Sequence, residues 1–197
     1  MIVATSNEGK VKEIKKIFKE YEIYSLKDKN IDVDVIEDAD TFYGNALKKA
    51  MEIYNVSNEP VLADDSGLCI NLLNDFPGVM THRFLGNNSS DDDRNDALID
   101  MVNNLSDRSA KVVCVIVYYD GVNVLTGEGI LDGKISMIKR GNNGFGFDKI
   151  FELEDGRTLA ELSSEEKNKI SARYLALKDI ENKIKELSLN LSKNIIR

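Results

Sequence analysis

Residues 110–119 limit the folds open to this chain more than any other segment, because this stretch is almost entirely apolar and rich in β-branched side chains. Such a run is typical of a strand buried in a sheet. The Asp120-Gly121 pair predicts a turn into a second strand over residues 122–126, and a third antiparallel strand is expected over residues 127–138. This part of the chain is therefore predicted to form a meander of strands.

The first part of the chain alternates strand and helix patterns instead. Strands are predicted over residues 1–5 and 21–26, with an amphipathic helix between them. Thr41 is placed to cap a second helix. Residues 61–63 and 67–73 have the composition of two further strands. A chain that joins this alternation to a meander is predicted to be α/β, with a mixed sheet.

Helices are also predicted later in the chain. One begins at residues 90–93 and is expected to be purely structural. Ser163 and Glu166 form a capping-box pattern at the start of another, in which helical spacing puts Lys167, Ile170, Ser171 and Tyr174 along one face. The run that follows is predicted to be an amphipathic C-terminal helix.

Length and composition indicate one globular domain over residues 1–197 without a separable linker, with enough apolar residues, 42%, to bury a core. Cys69 and Cys114 both lie in apolar surroundings and are expected to be core thiols rather than a disulfide. The start does not resemble a signal peptide, and no apolar run approaches the roughly 18 residues of a membrane span. We therefore expect a soluble, cytoplasmic protein with no membrane partner.

The net charge of −8 argues against a nucleic-acid partner, since a polyanion requires a basic surface. His82 is the sole histidine and the cysteines do not stand at ligand spacing, so a zinc site is not expected. Any metal would have to be held by carboxylates, which favours Mg²⁺ or Mn²⁺. An anionic ligand would need local cations or such a metal.

Two adjacent carboxylates, Asp64 and Asp65, follow a short apolar run and precede Ser66 and Gly67, where the run is expected to break. If the run is a strand, its alternation sends the two side chains to opposite faces, so one faces a site while the other is held by neighbouring groups. Asp, Ser and Gly are also common in turns, and a solvated turn explains these residues equally well. Both interpretations stay open on this segment alone.

Residues 6–10 have the pattern of an anion site. They follow the first predicted strand and begin a helix, whose free N–H groups and positive dipole end suit a negatively charged ligand. Lys10 lies in the first turn, where a cation is mildly unfavourable unless an anion lies nearby. A solvated surface lysine is the simpler interpretation of this residue.

Residues 140–148 form a glycine-rich segment. The glycines allow the backbone to approach a flat or anionic ligand closely, and Phe145 and Phe147 offer stacking faces. Asp148 could accept hydrogen bonds from the edge of a ring. A simple loop with buried aromatic side chains is an equally good interpretation.

Five motifs together resemble those of the inosine/xanthosine triphosphate pyrophosphatase family, the house-cleaning enzymes also called Ham1-like. The motifs are ATSNEGK at residues 4–10 with Glu13 after it, ADDSGL at 63–68, PGV at 77–79, GFGFD at 144–148 and EKNKIS at 166–171. Each motif is weak alone, but they occur in the right order over nearly the whole chain.

This resemblance implies an elongated mixed sheet with flanking helices that form two lobes around a central cleft, and a homodimer. It also implies a Mg²⁺-dependent reaction, with Mn²⁺ as a possible substitute. A nucleoside triphosphate such as dITP, ITP or XTP is hydrolysed to the monophosphate and pyrophosphate at the bond between the α and β phosphates.

The resemblance further implies roles for individual residues. Asp65 would activate the attacking water with Lys10 as a second catalytic residue, and Glu37 would bind the metal together with Asp65. Contacts to the substrate would come from both ends of the chain, through Thr5, Asn7, Lys10, Lys49, Ser66, Phe145, Phe147, Asp148, Lys167, Ser171 and Arg173. Thr5, Asn7 and Lys10 would contact the triphosphate, and Lys49 and Lys167 would add positive charge near its phosphates. Phe147 would stack on the base, while Asp148 and Arg173 would bind its edge.

Three positions depart from the family pattern. Ala172 stands where the family has histidine, which removes a hydrogen-bond donor to the base and weakens selectivity by roughly 3- to 100-fold. Gly44 replaces an acidic residue, and Lys149 replaces a proline. His82 is hypothesised to reach the base pocket in place of the missing histidine. Two alternatives therefore stay open: a nucleotide-binding protein with weak turnover, and a pyrophosphatase of altered or broad base specificity.

Overall fold

The computed structural model describes residues 1–86 and 88–195. Within that part the chain forms seven strands and five α-helices. The strands are β1 (Ile2–Val3), β2 (Tyr24–Ser25), β3 (Val61–Ile70), β4 (Phe76–Pro77), β5 (Ser109–Tyr119), β6 (Val124–Ile135) and β7 (Phe151–Glu152). The helices are α1 (Glu8–Ile17), α2 (Phe42–Ser57), α3 (Asp91–Val102), α4 (Ser164–Ile170) and α5 (Ala172–Ile195).

The strands pair in the order β2-β1-β3-β5-β6-β7, with β4 beside β3. β1 runs parallel to both β2 and β3, whereas β4 is antiparallel to β3 and β7 is antiparallel to β6. Parallel pairs come from the part of the chain where strands alternate with helices, because a parallel neighbour requires a crossover connection. The predicted α/β class with a mixed sheet is confirmed.

Two strand boundaries differ from the prediction. β3 continues through Ser66 and Gly67 instead of breaking there, because nine of its ten residues are buried and it pairs on both sides. β6 is one strand where two were predicted. A Cβ on Gly127 would lie 2.4 Å from the carbonyl oxygen of Ala176, and one on Gly133 would lie 2.7 Å from the ring of Phe151. These glycines therefore allow close packing against the strand and do not interrupt it.

One helix prediction was also wrong. Ser171 ends α4 in an extended conformation, with φ −61° and ψ 148°, and α5 begins at the next residue. Lys167 therefore lies on a different helix from the residues after Ser171, and the single helical face predicted for this segment does not form. The capping box of Ser163 and Glu166 is confirmed.

The chain divides into two compact units, each made of several segments. The first unit contains residues 1–65, 114–129 and 173 onward. Its core joins α2 to the strands beside it, through Ile2, Ala4, Ala46, Ala50, Ile53, Val61, Ala63 and Val117. The second unit contains residues 66–113 and 130–172. Its buried apolar side chains include Leu68, Ile70, Leu98, Val102, Ile135, Ile150 and Phe151.

Both cysteines are buried free thiols, as predicted. Burial raises the pKa of the Cys114 thiol to about 12, so this group stays protonated and unreactive at neutral pH. Among the described helices, none is both long and apolar enough to cross a membrane.

Candidate functional site

Asp64 and Asp65 lie in the middle of β3. Both are buried among charged groups of the first unit, and the side chain of Asp64 is 98% buried. Successive side chains of a strand alternate in direction, and the two carboxylates have different partners. The interpretation of this segment as a solvated turn is therefore wrong. Two buried carboxylates on one strand require compensation, because an unpaired buried charge is strongly unfavourable.

Asp64 is compensated by cations from three elements. Its Oδ2 atom lies 2.9 Å from Lys10 Nζ and 3.3 Å from Arg173 Nε. Burial alone would raise the pKa of Asp64, but Lys10, Arg173 and Lys49 outweigh it and hold the pKa well below its ordinary value. Asp64 is thus a permanent anion that fixes the positions of the cations around it, and Lys10 is not the solvated surface lysine that the sequence allowed.

Two of these cations are themselves shared with a second carboxylate. Arg173 donates from Nη1 to Glu13 Oε2 at 2.9 Å, which holds the guanidinium between Glu13 and Asp64. Lys49 donates from Nζ to Glu37 Oε1 at 3.0 Å and also to the backbone carbonyl oxygen of Asp64. The result is a connected network of buried charges in the first unit.

Asp65 is in the opposite electrostatic situation. Its Oδ2 atom accepts a hydrogen bond from Asn45 Nδ2 at 2.9 Å. Burial raises its pKa to about 6, against the opposing effect of Lys49, and the negative charges of Glu37 and Asp64 add to the increase. A carboxylate that titrates near neutral pH has the proton affinity of a general base.

The start of α1 is less open to an anion than the sequence indicates. Asn7 caps the helix, and its Oδ1 atom accepts from the backbone N–H groups of Gly9 and Lys10 at 2.9 and 3.2 Å. Thr5 Oγ1 accepts from the backbone N–H of Asn7 at 3.2 Å. Thr5 and Asn7 therefore shape the turn that brings Lys10 to Asp64.

Glu37 and Asp65 are the two carboxylates with the chemistry to hold a divalent cation in this network. They lie close enough for the charge of Glu37 to raise the pKa of Asp65, and Lys49, which binds Glu37, opposes that increase. Across the described residues, no three His, Cys, Asp or Glu side chains form a metal-holding group. Two carboxylates suit Mg²⁺, which binds one or two protein ligands and takes the others from phosphate and water.

Three of the predicted substrate-binding residues, Phe145, Asp148 and Lys167, come together in the second unit. Asp148 is buried, and its Oδ2 atom accepts from the backbone N–H of Phe145 at 2.8 Å and from Lys167 Nζ. Lys167 Nζ also lies 4.6 Å from the centre of the Phe145 ring, within range of a cation–π contact. Gly144 permits this arrangement, since a Cβ there would lie 2.0 Å from Asp148 Oδ2.

The remaining predicted substrate contacts are Phe147, Ser66, Ser171 and Arg173. Phe147 is half-buried and packs edge-on to Phe151, with ring centres 6.4 Å apart. Ser66 is a half-buried residue of β3, and Ser171 is a buried residue that ends α4. Arg173, predicted to contact the base, pairs with Glu13 and Asp64 in the carboxylate network of the first unit.

Comparison with known proteins settles the family. A family model described as the Ham1 family matches residues 1–183. The chain belongs to the Ham1 family. It is 39% identical to a dITP/XTP pyrophosphatase of Clostridium tetani, over 94% of this chain and 96% of that protein. It is 42% identical to a dITP/XTP pyrophosphatase of Desulfotalea psychrophila, over 91% of this chain and 82% of that protein.

The fold agrees with this assignment. The solved structure of the Staphylococcus aureus Ham1 protein superimposes with a TM-score of 0.87 at 35% sequence identity, over 94% of this chain and 97% of that one. The resemblance that the five motifs carry is therefore confirmed. Membership of the Ham1 family also gives the departures from its pattern a structural context.

The structure shows the neighbours of each position at which this Ham1 family member departs from the family pattern. A Cβ on Gly44 would lie 2.8 Å from the Cβ of Ala39, so the glycine allows a close approach that any larger residue would disturb. Lys149, in place of proline, lies 3.1 Å from Asp92 of α3. Ala172 is buried at the start of α5. His82 lies near enough to Asp91 to lower the pKa of that carboxyl group.

Sequence reasoning missed two asparagines that the structure connects to the predicted site residues. Asn45, in α2, binds Asp65, and Asn95, in α3, donates to the carbonyl oxygen of Gly146 in the glycine-rich segment. Both are buried within helices. A signal was present, since asparagine is a poor helix former and a buried one in a helix needs a specific partner. Glu13 was noted in a motif but was not given its role beside Arg173.

Proposed function

We propose that this chain is a nucleoside-triphosphate pyrophosphatase that hydrolyses non-standard purine nucleotides, namely dITP, ITP or XTP, to the monophosphate and pyrophosphate. The family supports this proposal, because its relatives are named dITP/XTP pyrophosphatases. The observation that carries it here is the pair of adjacent buried carboxylates on β3 with different partners: Asp64 lies 2.9 Å from Lys10 Nζ and 3.3 Å from Arg173 Nε, and Asp65 accepts from Asn45 Nδ2 at 2.9 Å. One is a fixed anion surrounded by cations, and the other is a base that can be protonated near neutral pH.

In the proposed mechanism, Asp65 takes the proton of the attacking water. Burial raises the pKa of Asp65 to about 6 in the metal-free chain, so this carboxylate accepts a proton more readily than an ordinary aspartate does. The hydrogen bond from Asn45 fixes the orientation of the accepting carboxylate. The water oxygen bonds to phosphorus, the bond to the bridging oxygen breaks, and pyrophosphate leaves with the electron pair.

Lys10, Lys49 and Arg173 would supply positive charge to the phosphate oxygens. Hydrolysis of a phosphoanhydride depends on neutralisation of charge and on in-line positioning of water. Asp64 gathers these three cations beforehand, so little reorganisation is needed when a polyphosphate arrives. Thr5 and Asn7 contribute by shaping the turn before Lys10.

Glu37 and Asp65 would hold Mg²⁺, or Mn²⁺ as a substitute, in this proposal. The bound cation would screen the phosphate charge and acidify the water. A matched pair of variants tests this assignment. Glu37→Gln is expected to raise the Mg²⁺ concentration needed for half-maximal rate by at least roughly tenfold, because a ligand carboxylate becomes neutral. Asp38→Asn, at the neighbouring position, is the control, and an equal shift in both variants would contradict the role of Glu37.

The second unit would recognise the base. Phe145 and Phe147 offer stacking faces, Asp148 offers carboxylate acceptors, and Ser171 offers a hydroxyl group. Lys167, which the family resemblance assigns to the phosphates, carries a positive charge beside Asp148. Because Ala172 cannot donate a hydrogen bond, we expect the preference for dITP over dGTP to be smaller than in relatives with histidine at this position.

A substrate panel tests the proposed function. Pyrophosphate release should be measured with Mg²⁺ for dITP, ITP, XTP and the four standard deoxynucleoside triphosphates. The proposal predicts the highest kcat/KM for the purine nucleotides with an oxo group at position 6 and no exocyclic amine. A flat profile would favour a pyrophosphatase of broad specificity. Binding without release for every nucleotide would favour a nucleotide-binding protein.

A cytoplasmic location and a homodimer, both expected from the sequence, stay predictions. The dimer prediction is checked by light scattering coupled to size-exclusion chromatography. A mass near twice 22.1 kDa is the expected result, and a mass near 22.1 kDa at all protein concentrations would contradict it.

A further inference from the structure

Helix α3 contacts the glycine-rich segment through a matched pair of side chains. The backbone N–H of Gly146 donates to Asp91 Oδ2 at 2.7 Å, and Asn95 Nδ2 donates to the carbonyl oxygen of Gly146 at 3.0 Å. Asp91 and Asn95 are four residues apart, so they lie on the same face of the helix. Together they form hydrogen bonds with both the N–H and the carbonyl oxygen of Gly146, in the way that a neighbouring strand pairs with a backbone.

A second pair on α3 binds the same region of the chain. Asp92 lies 3.1 Å from Lys149 Nζ, and Asp96 lies 2.8 Å from Lys139 Nζ. These two carboxylates are exposed, and exposed ion pairs stabilise by little. The specific part of the contact is therefore the pair formed by Asp91 and Asn95.

The positions of the neighbouring side chains depend on the backbone conformation of Gly146. This glycine lies between Phe145 and Phe147, and its φ of 63° places it in the left-handed region that favours glycine. The Phe145 N–H, one residue before it, donates to Asp148. A rotation of the Gly146 peptide would therefore move both aromatic rings and the carboxylate of Asp148.

The composition of α3 agrees with a role beyond packing. Asn95 is 1% exposed in the middle of a helix, where asparagine is unfavourable compared with alanine or leucine. Burial would raise the pKa of Asp91, but the N–H of Gly146, Arg94 and nearby His82 together lower it, so this acceptor is ionised. Hydrogen bonds to an ionised acceptor are stronger than those between neutral groups.

We propose that Asp91 and Asn95 are positioning residues that set base selectivity, because they fix the Gly146 peptide and, through it, Phe145, Phe147 and Asp148. This inference rests on the proposed function. It changes the role of α3, which the sequence presents as purely structural, and it gives His82, which lies near Asp91, a place beside this support.

The test compares base selectivity in paired variants. Asp91→Ala removes the acceptor for the Gly146 N–H, whereas Asp91→Asn keeps an oxygen acceptor. We expect Asp91→Ala to lower the ratio of kcat/KM for dITP over dGTP by roughly 3- to 10-fold, mainly through a higher KM for dITP. Asp91→Asn should retain most of the wild-type ratio. Asn95→Leu, which keeps the bulk and loses the donor, should match Asp91→Ala.

Two controls separate positioning from general loosening of the helix. Arg94→Ala removes the ion pair of Asp91 but leaves its bond to Gly146, and Asp96→Asn removes an exposed ion pair of the same helix. Neither should change the ratio. If both controls lower it as far as Asp91→Ala does, or if Asp91→Ala leaves it unchanged, the inference is wrong. Asp91→Ala decides the question if Asn95→Leu does not fold.

The inference can fail separately from the proposed function. If the wild-type protein releases no pyrophosphate, the function is wrong, and calorimetric binding of dIMP and dGMP replaces the kinetic ratio. An affinity ratio that falls in Asp91→Ala and is retained in Asp91→Asn would still support the positioning role. An unchanged affinity ratio would overturn it.

Discussion

The charged network of the first unit and the glycine-rich segment of the second are built in opposite ways. The network places buried carboxylates and cations on β3 and on three helices, so its side chains are held by regular elements. The glycine-rich segment has little regular structure and takes its shape from side chains of α3 that bind its backbone. The first arrangement is fixed by charge, and the second by backbone hydrogen bonds.

This difference predicts which property a substitution changes in each unit. In the network, removal of a carboxylate that pairs with cations, such as Asp64, leaves buried positive charge short of a partner, which is strongly unfavourable. Around the glycine-rich segment, a substitution changes the shape or hydrogen bonding of a pocket and has a smaller effect. Ala172 and Lys149 both belong to the second unit. Substitutions in the network should therefore change rate and stability, and those near the segment should change base preference.

The largest expected effect is on turnover, from Asp65→Asn. The variant loses the proton acceptor but keeps the size of the side chain and an oxygen for Asn45, so nucleotide binding should survive. General-base catalysis contributes about 10²- to 10⁴-fold, and kcat should fall by that factor. Pyrophosphate release and calorimetric binding of dITP measure the two effects.

Glu59→Gln is the control for this variant, because Glu59 is a carboxylate of the same unit that pairs with Lys29 away from the network. It should keep the wild-type rate. A near wild-type kcat in Asp65→Asn would show that another group activates the water, and the contrast between the two carboxylates of β3 would lose its catalytic meaning.

The second effect is on stability, from Asp64→Asn. The folded-state pKa of Asp64 is lowered, so its contribution is present above the unfolded pKa of about 3.9 and is lost as the pH falls further. At pH 7 the variant leaves Lys10 and Arg173 short of a partner, and loss of one partner of a buried ion pair costs about 3–5 kcal/mol. Urea unfolding at pH 7 and pH 3 should show a large deficit that narrows in acid. Equal deficits at both pH values would contradict the ionised Asp64.

Asp65→Asn should have the opposite effect on stability in metal-free protein. The folded-state pKa of Asp65 is about 6, above the unfolded value of about 3.9, so wild-type stability falls as the pH rises between these values. Two pKa units correspond to about 3 kcal/mol. The variant does not titrate, and it should be more stable than wild type at pH 8 and about equal at pH 4. Unfolding in the presence of a chelator measures this, and a less stable variant at pH 8 would contradict it.

The sequence predicts the fold class and the family well, because hydrophobic periodicity and short motifs carry that information. It does not predict that β3 runs through Ser66 and Gly67, since those residues favour turns unless strands pair on both sides. It also does not show that α4 and α5 are separate helices. The roles of Asn45 and Asn95 depend on partners 20 and 51 residues away, which no local pattern reveals.

A smaller effect is expected in the second unit, from Asp148→Asn. The variant keeps an oxygen for the N–H of Phe145 but loses the charge that pairs with Lys167. A hydrogen bond to a charged group contributes about 1.5–3 kcal/mol, so KM for dITP should rise by roughly 10- to 100-fold while kcat changes less. Asp155→Asn, in an exposed pair with Arg157, is the control. A fall in kcat alone would place Asp148 with the catalytic groups and break the division of roles between the units.

The smallest effect concerns Gly44, where helix propensity and packing oppose each other. Propensity alone would make Gly44→Ala more stable by about 1 kcal/mol. The new Cβ, however, would lie 2.8 Å from the Cβ of Ala39, whose backbone N–H donates to Asn45 Oδ1. We expect Gly44→Ala to be no more stable than wild type and to reduce kcat slightly, because Asn45 also binds Asp65. The double variant with Ala39→Gly removes the clash, so it should recover the rate. If the single variant is more stable and fully active, Ala39 moves freely, and the network is less tightly held than its buried charges indicate.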